Sequence, residues 1–230
     1  MVWLAVSETG LVREDNQDHV LADPERGIFA VADGMGGGAE GAFASEIVCE
    51  ELAKVNEERF KERLKAVEQA IGDANRRIYF HATEKRYNQM GSTVAALVAD
   101  KNDYSRAAVA HVGDSRVYRL HEGKLKLLTT DHTLGAKFGK GREDPLAHLL
   151  TQVVGGSLSV FATWAKVDLC AGDRFLICSD GVHDLVSDEE IGELLIRYEN
   201  LEELKETLSG IVVSRGAHDN YSFVLIDFHP

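Results

Sequence analysis

The sequence predicts an α+β chain built of antiparallel sheets with helices packed outside them. Short apolar runs of strand length recur along most of it, two helical patterns lie side by side in its first half, and the strict strand–helix alternation of a parallel sheet is missing. In chain order, Val2–Val6, His19–Ala22 and Ile28–Ala32 are apolar runs broken by Gly10, Pro24 and Gly27, and they read as strands. Ala44, Ile47, Val48, Leu52 and Val55 then recur at helical spacing, followed by Phe60, Leu64, Val67, Ile71, Ala74 and Ile78. Gly72 interrupts the second pattern at a cost of about 1 kcal/mol. From Ser92 the period shortens, giving strands at 93–99, 106–112, 116–120, 124–128, 162–169, 174–178 and 221–227. Two helices fit between the last of these, at 188–198 with Ser187 or Asp188 as cap and at 201–215. The stretch 131–150 mixes Gly135, Gly139, Gly141 and Pro145 with charged residues and reads as a short surface flap.

A chain of 230 residues without a Ser-, Gly- or Pro-rich linker or an internal repeat is expected to be one domain, 1–230. At that length it can bury about 70–75 % of its unfolded surface and needs no disulfide. Lys plus Arg number 25 against 38 Asp plus Glu, a net charge of −13, which disfavours nucleic acid and anionic membrane as partners. Three widely spaced cysteines (Cys49, Cys170 and Cys178) are expected to form neither a disulfide framework nor a zinc site, and the apolar start meets Glu8 too soon for a leader or a membrane span. A reduced, cytoplasmic, monomeric protein is expected.

Acidic residues fall at the ends of the apolar strands. Asp33 follows Ile28–Ala32, Asp114 lies in Gly113-Asp114-Ser115-Arg116, Asp180 follows Phe175–Cys178, and Asp219 with Asn220 precedes the last strand. Each alone reads more readily as turn chemistry, since Asp-Gly favours hairpins and Asx side chains cap turns. Together they suggest carboxylates converging at one rim, where a hard cation such as Mg²⁺ or Mn²⁺ would neutralise them. Gly34 beside Asp33 would let a backbone carbonyl approach such an ion. Arg13, in the loop before the second strand, has the chemistry to hold phosphate oxygens, or else forms a surface ion pair.

Other chemistries find less support. Gly36-Gly37-Gly38-Ala39-Glu40-Gly41 matches a dinucleotide fingerprint, but Asp33 would repel the pyrophosphate and no strand–helix–strand unit follows. No Gly-Lys-Ser/Thr, His-Glu-x-x-His or Gly-x-Ser-x-Gly occurs, so P-loop, zinc-protease and serine-hydrolase mechanisms lack their residues.

The segments Val12–Asp18, Val31–Gly37, Met90–Thr93, Val112–Tyr118, Leu128–His132, Thr151–Gly155, Cys178–Gly181 and Asp219–Asn220, in that order, resemble the metal-dependent Ser/Thr protein phosphatases of the type 2C (PPM) family in their compact bacterial form. The resemblance implies a four-layer α-β-β-α sandwich with a metal centre at one edge. It implies that Asp33 bridges two ions, the Gly34 carbonyl binds the second, and Asp180 and Asp219 bind the first. Asp114 with Asp180 would form a third-ion site, and Arg13 would hold the substrate phosphate. Two ions would activate a water for attack on phosphoserine or phosphothreonine in proteins modified by a cognate kinase. The position of the proton-donating His of many eukaryotic members is Met35 here, and Gly38 stands where many bacterial members carry a His. Neither can donate a proton, which leaves a water on an ion as the expected donor. His132, within a family motif, is expected to be structural. The competing reading is a relative that binds phosphoproteins without turnover.

Overall fold

The computed structural model describes residues 1–87, 89–102, 105–139 and 144–228. Its strands are β1 (Val2–Glu8), β2 (Asp18–Asp23), β3 (Ile28–Met35), β4 (Gly91–Ser92), β5 (Val94–Ala99), β6 (Arg106–Val112), β7 (Arg116–His121), β8 (Lys124–Leu127), β9 (Thr163–Asp168), β10 (Arg174–Cys178) and β11 (Tyr221–Asp227). Its helices are α1 (Ala39–Ala53), α2 (Phe60–Lys85), α3 (Leu134–Phe138), α4 (Asp180–His183), α5 (Asp188–Arg197) and α6 (Leu201–Ser214). One sheet runs β1-β11-β10-β7-β8; the other runs β2-β3-β5-β6-β9, with β4 joined to β3. Every named strand pairing is antiparallel.

Side-chain alternation sorts the strands into layers. Phe29, Val31, Leu97, Val109, Phe175, Ile177, Val224 and Ile226 point between the sheets. Their neighbours Ile28, Ala30, Ala96 and Val98 meet Val48, Leu52, Val67 and Ile71 of α1 and α2. Leu176, Phe223 and Leu225 meet Ile191, Leu195, Leu204 and Leu208 of α5 and α6. Both faces of each sheet are covered, so the central strands are apolar at consecutive positions instead of alternating with polar ones. The result is the expected four-layer sandwich.

Helix starts follow capping chemistry. Ser187 and Glu190 form a reciprocal capping box on α5, and Asn200 accepts from the amides of Glu202 and Glu203 on α6. Gly36, Gly37 and Gly38, at φ 140°, 82° and 55°, turn the chain from β3 into α1 through conformations closed to most residues. Since β3 pairs antiparallel with β5, this glycine run does not open a dinucleotide-binding crossover.

The stretch read as a flap is more ordered than a surface loop: α3 is capped by Thr133, and the amides of Leu134 and Gly135 donate to the carbonyls of Leu149 and Ala147 at 2.9 Å. Positions 140–143 of it, Gly141 included, lie outside the described residues. Among the described residues no helix is long and apolar enough to cross a membrane.

Candidate metal centre

The strand ends singled out in the sequence meet at one rim of the sandwich. Asp33, Asp114, Asp180 and Asp219 line a single cleft of about 720 Å³, together with Arg13 and Gly34. Asp33 lies near the end of β3, Asp114 in the turn after β6, Asp180 at the first position of α4 and Asp219 just before β11.

The neighbouring polar residues hold this arrangement in place. Thr93 brackets Asp33: its amide donates to the Asp33 carbonyl (2.8 Å), and its hydroxyl accepts from the Asp33 amide (3.0 Å). That hydroxyl also meets Ser115 at 2.6 Å, across the turn bearing Asp114. A Cβ at Gly113 would lie 2.6 Å from the Thr93 side chain, so only glycine lets the two motifs close together. His183 donates from Nε2 to the Asp114 carbonyl at 3.1 Å. Asn220 fixes the arm carrying Arg13: its Nδ2 donates to the carbonyls of Thr9 and Asp15, and its Oδ1 accepts from the Gln17 amide, all at 2.9 Å.

Gly34 also meets a packing demand. A Cβ there would fall 2.0 Å from the Gly41 carbonyl oxygen, so its bare Cα is demanded by the approach of α1 to β3 as well as by the cleft it lines. Gly181 is constrained in the same way, 2.0 Å from the Asn220 carbonyl oxygen.

Electrostatically the rim is crowded with like charge. Burial, reinforced by Asp18, Asp180, Asp114 and Asp219, raises the Asp33 carboxyl well above its usual range. Burial and then Asp180 push Asp114 up to about 7. Asp180 rises mainly through burial, with Asp184 and Asp219 adding to it. Asp18, buried and paired across the ladder with Asp33, is raised by burial to about 7 although Ser179 donates to it at 2.8 Å. The one Arg or Lys among the described residues lining the cleft is Arg13, and it donates to Asp219 Oδ2 at 2.7 Å. An all-oxygen set of desolvated, mutually repelling carboxylates fits a hard divalent cation. No three of these carboxylates bring one oxygen each within 4.8 Å of one another, and one of them, Asp219, is engaged by Arg13.

Comparison with known proteins places this geometry. The family model described as protein phosphatase 2C matches residues 6–212. The chain belongs to the protein phosphatase 2C family. Serine/threonine protein phosphatase PstP of Mycobacterium tuberculosis is 34 % identical over 234 residues, 98 % of this chain, which spans only 44 % of that relative's length. The structure of PppA, described as a key regulatory component of T6SS in Pseudomonas aeruginosa, superposes with a TM-score of 0.91 at 29 % identity, covering 98 % of this chain and 96 % of PppA. The catalytic domain of PstP in complex with two manganese ions superposes at 0.85 with 32 % identity, covering 100 % of this chain and 98 % of that domain.

All six residues singled out for a type 2C site, Arg13, Asp33, Gly34, Asp114, Asp180 and Asp219, reach the cleft wall. His132 takes a structural place: its Nδ1 accepts from the Gly113 amide, and its ring stacks on His111 at 4.4 Å. Burial, with His111 adding, lowers its pKa to about 4. Sequence reasoning missed Tyr79 and Tyr87 at the end of α2 and His148, all lining the cleft. Only the apolar stripe of α2 had a readable period, and His148 lies in a stretch without one. Asp18 stands opposite Asp33 through the register of β2 on β3, which residue spacing alone does not give.

Proposed function

We propose that this chain is a protein serine/threonine phosphatase that hydrolyses phosphoserine and phosphothreonine monoesters with two divalent ions, Mg²⁺ or Mn²⁺, in the carboxylate cleft. The observation that carries the reading is the convergence of four aspartates on one cleft, three of them (Asp33, Asp114 and Asp180) held above the usual carboxylate range by burial and neighbouring charge, with an arginine at its mouth. Asp33 would bridge the ions, with the Gly34 carbonyl on the second and Asp180 and Asp219 on the first. Asp114 and Asp180 would serve a third. When bound, such ions lower the pKa of water and offset the charge of the phosphate. The protein's own part is to position and to bind. Thr93 fixes Asp33 from both sides of its peptide, and Arg13, about half exposed, has the planar fork to take two phosphoryl oxygens. Because Arg13 also grips Asp219, phosphate binding and release of that ligand are linked. No serine nucleophile is needed, in keeping with the missing elbow motif.

In this reading residues 1–230 form the catalytic domain, 131–150 flank its cleft, and the substrates are cytoplasmic phosphoproteins made by a cognate Ser/Thr kinase. The test is phosphate release from p-nitrophenyl phosphate and from a phosphothreonine peptide, with Mn²⁺ and with EDTA. Release that needs Mn²⁺ is expected; peptide binding without release at any Mn²⁺ concentration would instead mark a non-catalytic phosphoprotein-binding relative.

A further inference from the structure

The geometry points to a second metal site, of different chemistry, at the opposite rim of the sandwich. It is formed by His121, Cys170 and Asp173 and takes a borderline-soft transition ion of the zinc class. One ligand atom from each of the three lies within 4.8 Å of the other two, the one mixed group of this kind among the described residues. The phosphatase cleft offers only oxygen, whereas this group offers nitrogen, sulfur and oxygen, the donor set that suits zinc. β7 starts beside Asp114 and ends at His121, which places the group about 17 Å from the cleft along the strand.

The backbone already holds these donors in place. Cys170 and Asp173 bracket the turn that carries the chain from β9 in one sheet to β10 in the other. That turn is closed by Asp173 N to Cys170 O (3.1 Å) and pinned to the end of β11 by Gly172 N to Phe228 O (2.7 Å). The Asp173 side chain is fully buried, and its two oxygens have separate tasks. Oδ2 accepts from Arg119 (2.6 Å) and from the Cys170 amide (2.8 Å), and Oδ1 faces His121 Nδ1 at 2.7 Å. A carboxylate oriented through one oxygen and presenting the other is the usual support for a metal ligand.

Binding requires a small adjustment. An ion replacing the hydrogen between Nδ1 and Oδ1 parts them to about 3.3 Å, the edge of a tetrahedron with bonds of about 2.0–2.1 Å. The imidazole proton moves to Nε2, which faces the Glu122 carboxylate at 4.0 Å, and the Cys170 thiol proton leaves to solvent. Water completes the tetrahedron. Such an ion joins β7 to the crossing between the two sheets, so it stabilises the fold.

The test titrates cobalt chloride into the full chain held in excess Mg²⁺ and reads the near-ultraviolet thiolate-to-cobalt charge-transfer band. Cys49 and Cys178 are buried and Cys170 is exposed, so the band reports this site regardless of any phosphatase activity. One equivalent of cobalt is expected to produce the band, release one proton and raise the melting temperature, and zinc chloride is expected to abolish the band by displacement. Cys170→Ser should remove the band, and His121→Gln, a half-exposed position that leaves folding intact, should weaken binding at least tenfold. No band in the wild-type chain, a band that survives Cys170→Ser, or unchanged affinity in His121→Gln would overturn the site.

Discussion

The two rims of the sandwich bury charge to a similar degree and treat it in opposite ways. At the far rim buried arginines meet a carboxylate or backbone carbonyls. Arg174 binds Asp227 through two nitrogens at 2.5 and 2.7 Å and also donates to the carbonyls of Leu195 and Glu199. Arg63, 1 % exposed, donates to the carbonyls of Glu57, Glu58 and Ala99. At the cleft rim burial raises Asp33, Asp114 and Asp180 together, Asp180 and Asp114 push Asp33 up further, and Asp180 does the same to Asp114. Removing one partner at the far rim strands a buried charge, whereas removing one carboxylate at the cleft relieves repulsion. Cohesion is concentrated at one end of the molecule and reactivity at the other.

The largest test of this contrast is Asp180→Asn. Phosphate release and Mn²⁺ affinity are expected to fall by more than about 100-fold, a loss known even for groups one shell beyond a ligand. The melting temperature in EDTA should hold or rise. Calorimetric Mn²⁺ titration and a thermal melt decide it, and a large loss of stability would erase the contrast.

Arg174→Met is its counterpart and should cost about 3–5 kcal/mol in urea unfolding, because it removes one side of a buried, two-nitrogen ion pair with Asp227. Turnover per folded molecule should be unchanged.

A third test uses pH. Asp18 and Asp114 titrate at about 7 in the folded chain against 3.8 ordinarily, so between those values the folded protein keeps protons that the unfolded chain has released. The stability these groups lend is full below the lower value and is lost as pH rises through the upper one. In EDTA the melting temperature should therefore fall between about pH 5 and about pH 8, and Mn²⁺ should flatten the slope. A flat profile in EDTA would deny the crowding.

The smallest expected effect is Ser187→Ala, which removes the α5 cap at a residue that does not line the cleft. It should cost about 1 kcal/mol by thermal or urea unfolding and leave the Mn²⁺ dependence alone.

Much of this was legible in the sequence because burial on both sheet faces leaves continuous apolar strands, and each cleft aspartate stands at or beside one end of such a run. β4, α3 and α4 were not legible; at 2, 5 and 4 residues they are too short to show a period. Arg63 looks like any charged helix residue until the carbonyls it caps are in place. The Arg13–Asp219 pair joins positions 206 apart, and a glycine such as Gly34 does not announce whether an ion or a helix needs the space.

Asn220 has a mechanical consequence. It grips the Thr9–Gln17 segment through three hydrogen bonds, while its neighbour Asp219 faces the guanidinium carried by that same segment. In the proposed reading, grip on the incoming anion and grip on the ion would thereby be fastened to a single pivot. An engineer who transplants the arginine arm into another scaffold must carry the 217–220 corner with it, and retuning either affinity by itself will shift the other.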